Sequence, residues 1–286
     1  MEQTICTPVK INLTLRIFSR RCDGYHDIYS VFSQKKSIEQ LTIKANCAEI
    51  TNDILDVSGM EISGENLVTK ALKCARHFCA AIPPMEITLR KYFPAGSGIG
   101  AGSGDAAALL KWLKKTYSIA IPESAVARLG ADVAFLASDY GAAYAQGAGE
   151  VLTPADAPDV AWALAFPAWS SATKEAYAKL DALRERGICA PVTPDEAQRE
   201  ARDILRKLCA KERAGRLPND FWDVLVREHA EYRSVEHIAS GAGALAWGLC
   251  GSGSAIFALC ADERTARDAA ESFGSQKWIT KTTILG

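Results

Sequence analysis

The amino-acid sequence predicts an α+β protein with two domains. Strand-like stretches, in which every second residue is apolar, alternate with helix-like stretches whose apolar residues recur at three- and four-residue intervals. The chain has 286 residues, room for two domains of the usual size of roughly 100–200 residues. Residues 154–158 turn to Pro, Ala and Asp, the composition of a linker or long turn. That puts a boundary near residue 157, with one domain at 1–157 and a second at 158–286.

The first strand is expected at 8–18. Val9, Ile11, Leu13, Leu15 and Ile17 alternate there with Lys10, Asn12, Thr14 and Arg16, so Lys10 and Asn12 share the face opposite the apolar row. An Asp23-Gly24 turn follows, then strands at 28–32 and 40–44. Leu67, Ala71, Leu72, Ala75, Phe78 and Cys79 mark a helix at 66–80 that Pro83-Pro84 ends. A short strand at 86–91 leads into a glycine-rich stretch at 94–104, and Asp105 begins a helix carrying Ala106, Leu109, Leu110 and Leu113. Gly130-Ala131-Asp132-Val133 and a strand-like stretch at 141–150 close the first domain. The second domain is read as a strand at 160–166, a charged helix-rich run at 195–232 and a glycine-rich turn at 250–254 entering a strand. A helix at 263–273 and a strand at 278–285 complete it.

Composition excludes several classes of function. Apolar residues at 48% and charged residues at 23% describe a folded chain. With 33 Lys and Arg against 34 Asp and Glu, the net charge of −1 gives no global attraction to nucleic acid or an anionic membrane. An anionic ligand therefore needs a local site. No apolar run approaches the ~20 residues that cross a bilayer. The first residues, Met-Glu-Gln-Thr-Ile-Cys-Thr-Pro, lack the basic and apolar parts of a secretory signal, and a cytoplasmic protein is expected. The nine cysteines and four histidines show no Cys-x-x-Cys or His-Glu-x-x-His spacing, which favours free thiols over a disulfide framework or a protein-held metal.

Glycine occupies positions 96, 98, 100, 102 and 104. Such a loop lets the backbone approach a ligand closely and turns successive N–H groups inward. It feeds a helix N-terminus carrying roughly half a positive charge, which makes an anion cradle suited to polyphosphate. A Walker loop is excluded because Gly104 precedes Asp105 rather than Lys. The dinucleotide fingerprint is met only formally, by Gly96, Gly98 and Ala101, without its acidic residue about 20 positions on. A nicotinamide or flavin enzyme is disfavoured.

These segments together resemble the GHMP kinase superfamily. Pro8-Val-Lys-Ile-Asn12 with Arg20-Arg-Cys-Asp-Gly-Tyr-His26 is similar to an N-terminal signature within it. Residues 94–107 resemble its ATP loop, and Gly130-Ala131-Asp132-Val133 with Gly147-Ala-Gly-Glu150 its catalytic-aspartate segment. Gly251-Ser-Gly-Ser254 resembles its C-terminal glycine-rich motif. The resemblance implies a ribosomal protein S5-like N-terminal domain and a ferredoxin-like C-terminal domain, with ATP and substrate meeting between them. It also implies transfer of the γ-phosphoryl group of ATP, with Mg2+ carried by the ATP. The Asp-Gly-Tyr-His portion points to the 2-hydroxyl of a diphosphocytidyl methylerythritol alcohol as acceptor, in the non-mevalonate isoprenoid pathway. The implied partners are ATP and this small-molecule cytidyl substrate, with no nucleic acid and no membrane, for a monomer or homodimer. A mevalonate- or homoserine-type kinase and a catalytically silent nucleotide-binding homologue remain open alternatives at this point.

By the same resemblance Asp132 is the base that takes the alcohol's proton, and Lys10 lies beside it and stabilises developing charge. Taken without the resemblance, Asp132 equally suits a helix N-cap and Lys10 an exposed strand face. Asn12, Tyr25 and His26 are implied as substrate-binding; otherwise Tyr25 anchors a turn and His26 is an exposed polar residue. Pro94, Ala95, Gly96, Ser97, Gly98, Ile99, Gly100, Ala101, Gly102, Ser103 and Gly104 are implied as the ATP loop, and Asn66 as an adenine contact. Asn66 equally suits the cap of the helix it opens. No residue is assigned to metal. The family loop usually ends Gly-Gly-Gly-Ser-Ser-Asp-Ala-Ala, so Gly104 stands in place of the second serine and one hydroxyl is absent.

Overall fold

The computed structural model describes residues 2–45, 51–60 and 64–286. They form two compact units that interleave along the chain. Unit 1 comprises Met1–Lys10, Lys36–Phe93 and Gly100–Asp139; unit 2 comprises Ile11–Lys35, Pro94–Ile99 and Tyr140–Gly286. The boundary expected at 157 falls inside unit 2.

Strands β1 (Glu2–Arg20) and β2 (His26–Ala45) pair with each other and are longer than their apolar alternation suggests. The two strands expected at 28–32 and 40–44 are one. The polar stretch between them reads as a break, yet Ser33, Ser37 and Glu39 are buried, and Ser37 accepts the backbone N–H of Glu39 at 3.1 Å. Polar groups satisfied inside the fold keep the strand going. Lys10, Asn12 and Thr14 are buried as well, so between Val9 and Leu15 neither face of β1 is open to solvent.

Unit 1 continues with β3 (Ile54–Ser58), α1 (Leu67–Phe78), β4 (Met85–Arg90), α2 (Ala101–Tyr117), α3 (Glu123–Ala127) and α4 (Ala131–Ala137). Strand β4 runs antiparallel to the end of β2, from Gln40 opposite Arg90 to Ala45 opposite Met85, and parallel to β3. Leu72 and Ala75 of α1 and Leu109, Leu110 and Leu113 of α2 share one core with Leu41, Ile43, Ile87 and Leu89. Asn66 Oδ1 accepts the Val68 N–H at 2.8 Å, so Asn66 caps α1. Helix α2 starts at Ala101, not at Asp105 as expected. Glycine is a poor helix former, but Gly104 packs directly under the Pro8 carbonyl, where only glycine fits.

Unit 2 holds a hairpin, β5 (Ala142–Gln146) and β6 (Val151–Ala155), with β5 antiparallel to β2 from Ser30 opposite Ala145 to Ser33 opposite Ala142. Then come β7 (Ala161–Pro167), α5 (Thr173–Glu185), α6 (Pro194–Cys209), β8 (Gly215–Arg216) and α7 (Trp222–Glu228). A 3-10 turn (Ala230–Ser234), α8 (Val235–Gly241), β9 (Ala246–Leu249), β10 (Ile256–Cys260), α9 (Glu263–Gly274) and β11 (Ile279–Leu285) follow. The sheet order β11-β7-β10-β9-β8 is the ferredoxin-like arrangement with a short edge strand added, as expected. Every residue of β7, a central strand, is buried, which explains its unbroken apolar run. Helix α6 starts with a capping box between Thr193 and Glu196. Helix α5 escaped the sequence reading because only Ala176 and Leu180 of its length are buried, too few to print a periodicity.

Candidate active site

In unit 1, β1 carries Lys10 to the first turn of α4, where its Nζ lies 3.3 Å from Asp132 Oδ1. The lysine side chain is 6% exposed and the aspartate 33%. A lysine buried this deeply needs a charged partner, and the solvated-lysine reading is set aside. Gly130, with φ +151°, precedes α4 and gives it no capping side chain. Gly100, with φ +67°, is the N-cap of α2, and a Cβ built on it would stand 3.3 Å from both Asp132 Oδ2 and Lys10 Cγ. The acid–amine couple therefore adjoins the N-terminus of α2.

That helix end is built to take an anion. Its first-turn N–H groups have no partner within the helix, and Gly100 offers them no side chain. A Cβ at Gly102 would meet nothing within 4 Å, so space lies open beside the turn. These residues fit a phosphate group. Gly104 is different: its Cβ position is 1.8 Å from the Pro8 carbonyl oxygen. Position 104 thus faces protein, and its missing hydroxyl is not one withheld from an open phosphate site. Among the described residues, no cluster of three or more His, Cys, Asp or Glu side chains could hold a metal ion.

In unit 2 the first part of the glycine loop is laid against the second glycine-rich turn. Gly96 O accepts the N–H groups of Ser254 at 3.1 Å and Ser171 at 3.2 Å, and Ser97 O accepts that of Ala255 at 3.1 Å. A Cβ at Gly98, φ +80°, would fall 1.8 Å from Cys250 O. Gly98→Ala is therefore expected to destabilise the chain by about 3 kcal/mol or more, through backbone overlap and a disfavoured φ together. A thermal-unfolding scan checks it. Asn219 Nδ2 donates to Leu249 O at 3.1 Å and Gly251 O at 2.8 Å, and Ser171 Oγ donates to Ser252 O at 2.9 Å. Sequence reasoning missed Asn219 and Ser171. Neither belongs to a spaced motif; each acts through a distant backbone.

The remaining candidates in unit 2 divide. Tyr25, at the β1–β2 turn, is 66% exposed. His26 is buried, contrary to the exposed-polar reading; its Nε2 lies 2.8 Å from Asp181 Oδ1, and its ring stacks on Tyr177 at 5.0 Å. Asp181 and Tyr177 sit four residues apart on α5, whose weak periodicity hid them. Asn12 is buried and donates to Ser30 Oγ at 2.9 Å.

Family comparison extends this geometry. The family model for the GHMP kinases N terminal domain matches residues 66–147, and that for the GHMP kinases C terminal domain matches residues 204–280. A 4-diphosphocytidyl-2-C-methyl-D-erythritol kinase of Chlorobium phaeobacteroides (strain BS1) is 32% identical over 272 residues, covering 92% of this chain and 91% of its own. The chain belongs to the 4-diphosphocytidyl-2-C-methyl-D-erythritol kinase family of GHMP kinases. As a GHMP kinase it is an ATP-dependent small-molecule kinase. The family member of Moorella thermoacetica (strain ATCC 39073 / JCM 9320) is 32% identical over 271 residues, 90% of each chain. A crystal structure of 4-(cytidine 5'-diphospho)-2C-methyl-D-erythritol kinase superposes with a TM-score of 0.80 at 28% identity, covering 100% of this chain and 98% of that one. The homoserine kinase of Cytophaga hutchinsonii ATCC 33406, at 14% identity and a TM-score of 0.62, shares the fold alone; 99% of this chain and 96% of that one are covered. No helix among the described residues is long and apolar enough to cross a membrane.

Proposed function

We propose that this chain transfers the γ-phosphoryl group of ATP to the 2-hydroxyl of 4-diphosphocytidyl-2-C-methyl-D-erythritol, in the cytoplasm, as a step of non-mevalonate isoprenoid biosynthesis. The observation that carries the reading is the Lys10–Asp132 couple, 3.3 Å apart and set against the N-terminal end of α2. Phosphoryl transfer depends on positioning and charge stabilisation more than on covalent chemistry by the protein, and this arrangement offers both.

Bound ATP supplies the electrophilic phosphorus, with Mg2+ carried on its oxygens. Asp132 accepts the alcohol proton as the oxygen attacks. It is the more exposed partner of the couple, so substrate can reach it, while Lys10 stays buried and stabilises the negative charge that develops. The segment 94–104 holds the phosphates through backbone N–H groups and the start of α2. Asn66 uses its Oδ1 on α1 and presents its amide NH2 to adenine. Tyr25 stacks on the cytosine, and His26, oriented by Asp181 and Tyr177, reads the base edge. Asn12 positions the alcohol. In this account residues 1–157 carry ATP binding, catalysis and the substrate contacts named above, and residues 158–286 form the substrate-side support through Tyr177 and Asp181.

Two measurements test the assignment of substrate. The purified chain, given ATP and either the diphosphocytidyl alcohol, mevalonate or homoserine, should phosphorylate the first far faster than the others. Equal rates, or preference for another alcohol, contradict the reading; ATP binding without transfer to any alcohol marks a silent homologue. Tyr25→Ala should raise KM for the cytidyl alcohol roughly tenfold, the loss of one aromatic stack, and leave KM for ATP in place.

A further inference from the structure

Unit 1 contains a buried charge cluster that the chemistry above does not use. Lys91 Nζ lies 2.5 Å from Glu39 Oε2 and 2.8 Å from Asp105 Oδ2, and no side chain of the three is more than 4% exposed. Glu39 Oε1 accepts the backbone N–H groups of Tyr92 at 2.7 Å and Phe93 at 2.9 Å. Phe93 is the last residue before the glycine-rich stretch, and Asp105 lies in α2, the helix into which that stretch runs. Glu39 thus fixes the chain entering the stretch, Asp105 fixes the element that receives it, and Lys91 joins the two.

We propose that Glu39, Lys91 and Asp105 are positioning residues for ATP, a buried clamp that holds both ends of the glycine-rich segment at the separation the triphosphate requires. The proposal rests on the reading of 94–104 as the phosphate site.

The cluster is a poor device for stability, and that is the argument for function. Two carboxylates share one ammonium out of water, leaving a net negative charge where a neutral side chain would pack at no such cost. Burial pushes the Asp105 carboxyl up to about 6; Lys91 opposes the rise, and Glu39 adds to it. Thr7, on β1, also faces the carboxyl, and its hydroxyl opposes the rise as a hydrogen-bond donor. A carboxyl raised in the folded state gives stability that is fully present below its ordinary value of 3.8 and lost as pH rises through about 6. Above that pH the ionised Asp105 grips Lys91 while costing stability; below it the neutral acid grips less. A group retained ionised against stability, beside a candidate site, points to a task.

The test reads ATP affinity and thermal midpoint together on the full chain. At pH 8, Asp105→Asn should keep or raise the midpoint, since it removes the excess charge. It should weaken the Kd for Mg-ATP about 5- to 20-fold, in line with the cost of loosened positioning. Amide exchange across 94–104 should quicken. The ratio of variant to wild-type Kd, which cancels the titration of ATP itself, should fall toward one as pH drops below about 6. Asp105→Leu should weaken Kd at least as much and show no such pH trend in its own binding beyond that of ATP.

Unchanged Kd in both variants at pH 8 overturns the clamp. So does a joint loss of midpoint and affinity in Asp105→Asn, or its failure to fold, because a purely structural pair behaves that way. A wild-type chain that binds ATP but phosphorylates no alcohol would overturn the proposed reaction and leave the clamp result standing.

Discussion

Asp132→Asn is expected to lower turnover by roughly 10²–10⁴-fold, the usual contribution of a positioned general base. The amide keeps the shape of the carboxylate but cannot take the alcohol's proton. ATP should bind nearly as before, since the segment assigned to its phosphates is untouched, and the loss should appear in kcat rather than in KM for ATP. The substitution also removes the negative charge of Asp132 from beside the buried Lys10 ammonium, 6% exposed. A moderate fall in thermal midpoint is therefore expected beside the kinetic loss. Turnover measured well below the variant's midpoint separates the two effects. Undiminished turnover would remove Asp132 from the reaction.

Gly104→Ser should severely damage the fold near the site. It restores the serine usual in the family loop, yet here the new Cβ would fall 1.8 Å from the Pro8 carbonyl oxygen. A backbone carbonyl inside a strand cannot rotate away as a side chain can, so β1 and α2 must part. The cost should exceed about 3 kcal/mol, the upper end of ordinary overpacking. Lys10 lies two residues beyond Pro8 on β1, so displacement there also shifts the ammonium from Asp132, and turnover should fall with stability. Gly102→Ser is the matched control. Its Cβ would meet nothing within 4 Å, and it should change the midpoint little. Equal effects of the two substitutions would show that position 104 is not packed as described.

The parts of this architecture that were legible in the sequence are those fixed by local periodicity or by dense glycine. The alternation of β1 gave the strand and its buried row, and the run of glycines gave the loop that leads into α2. What escaped depends on partners far along the chain. The strand β2 continues through Ser33–Glu39, where Ser33, Ser37 and Glu39 are buried and Ser37 accepts the Glu39 N–H, and a polar run carries no mark of that. His26 looked exposed because its partners, Tyr177 and Asp181, stand on α5, roughly 150 residues on. The start of α2 was misplaced because glycine propensity argues against a helix at 101–104, while packing against Pro8 requires glycine at 104. Asp105 was read as the opening of a helix; its pairing with Lys91 and Glu39 needs β2, the end of β4 and α2 to be folded together.

One experiment bears most directly on the whole account: the phosphorus spectrum and mass of the product formed when the chain acts on ATP and 4-diphosphocytidyl-2-C-methyl-D-erythritol. A single new phosphomonoester on the tertiary 2-oxygen, formed in step with ADP, is the predicted result. ADP release with the alcohol unaltered, or phosphate on any other hydroxyl, would contradict it.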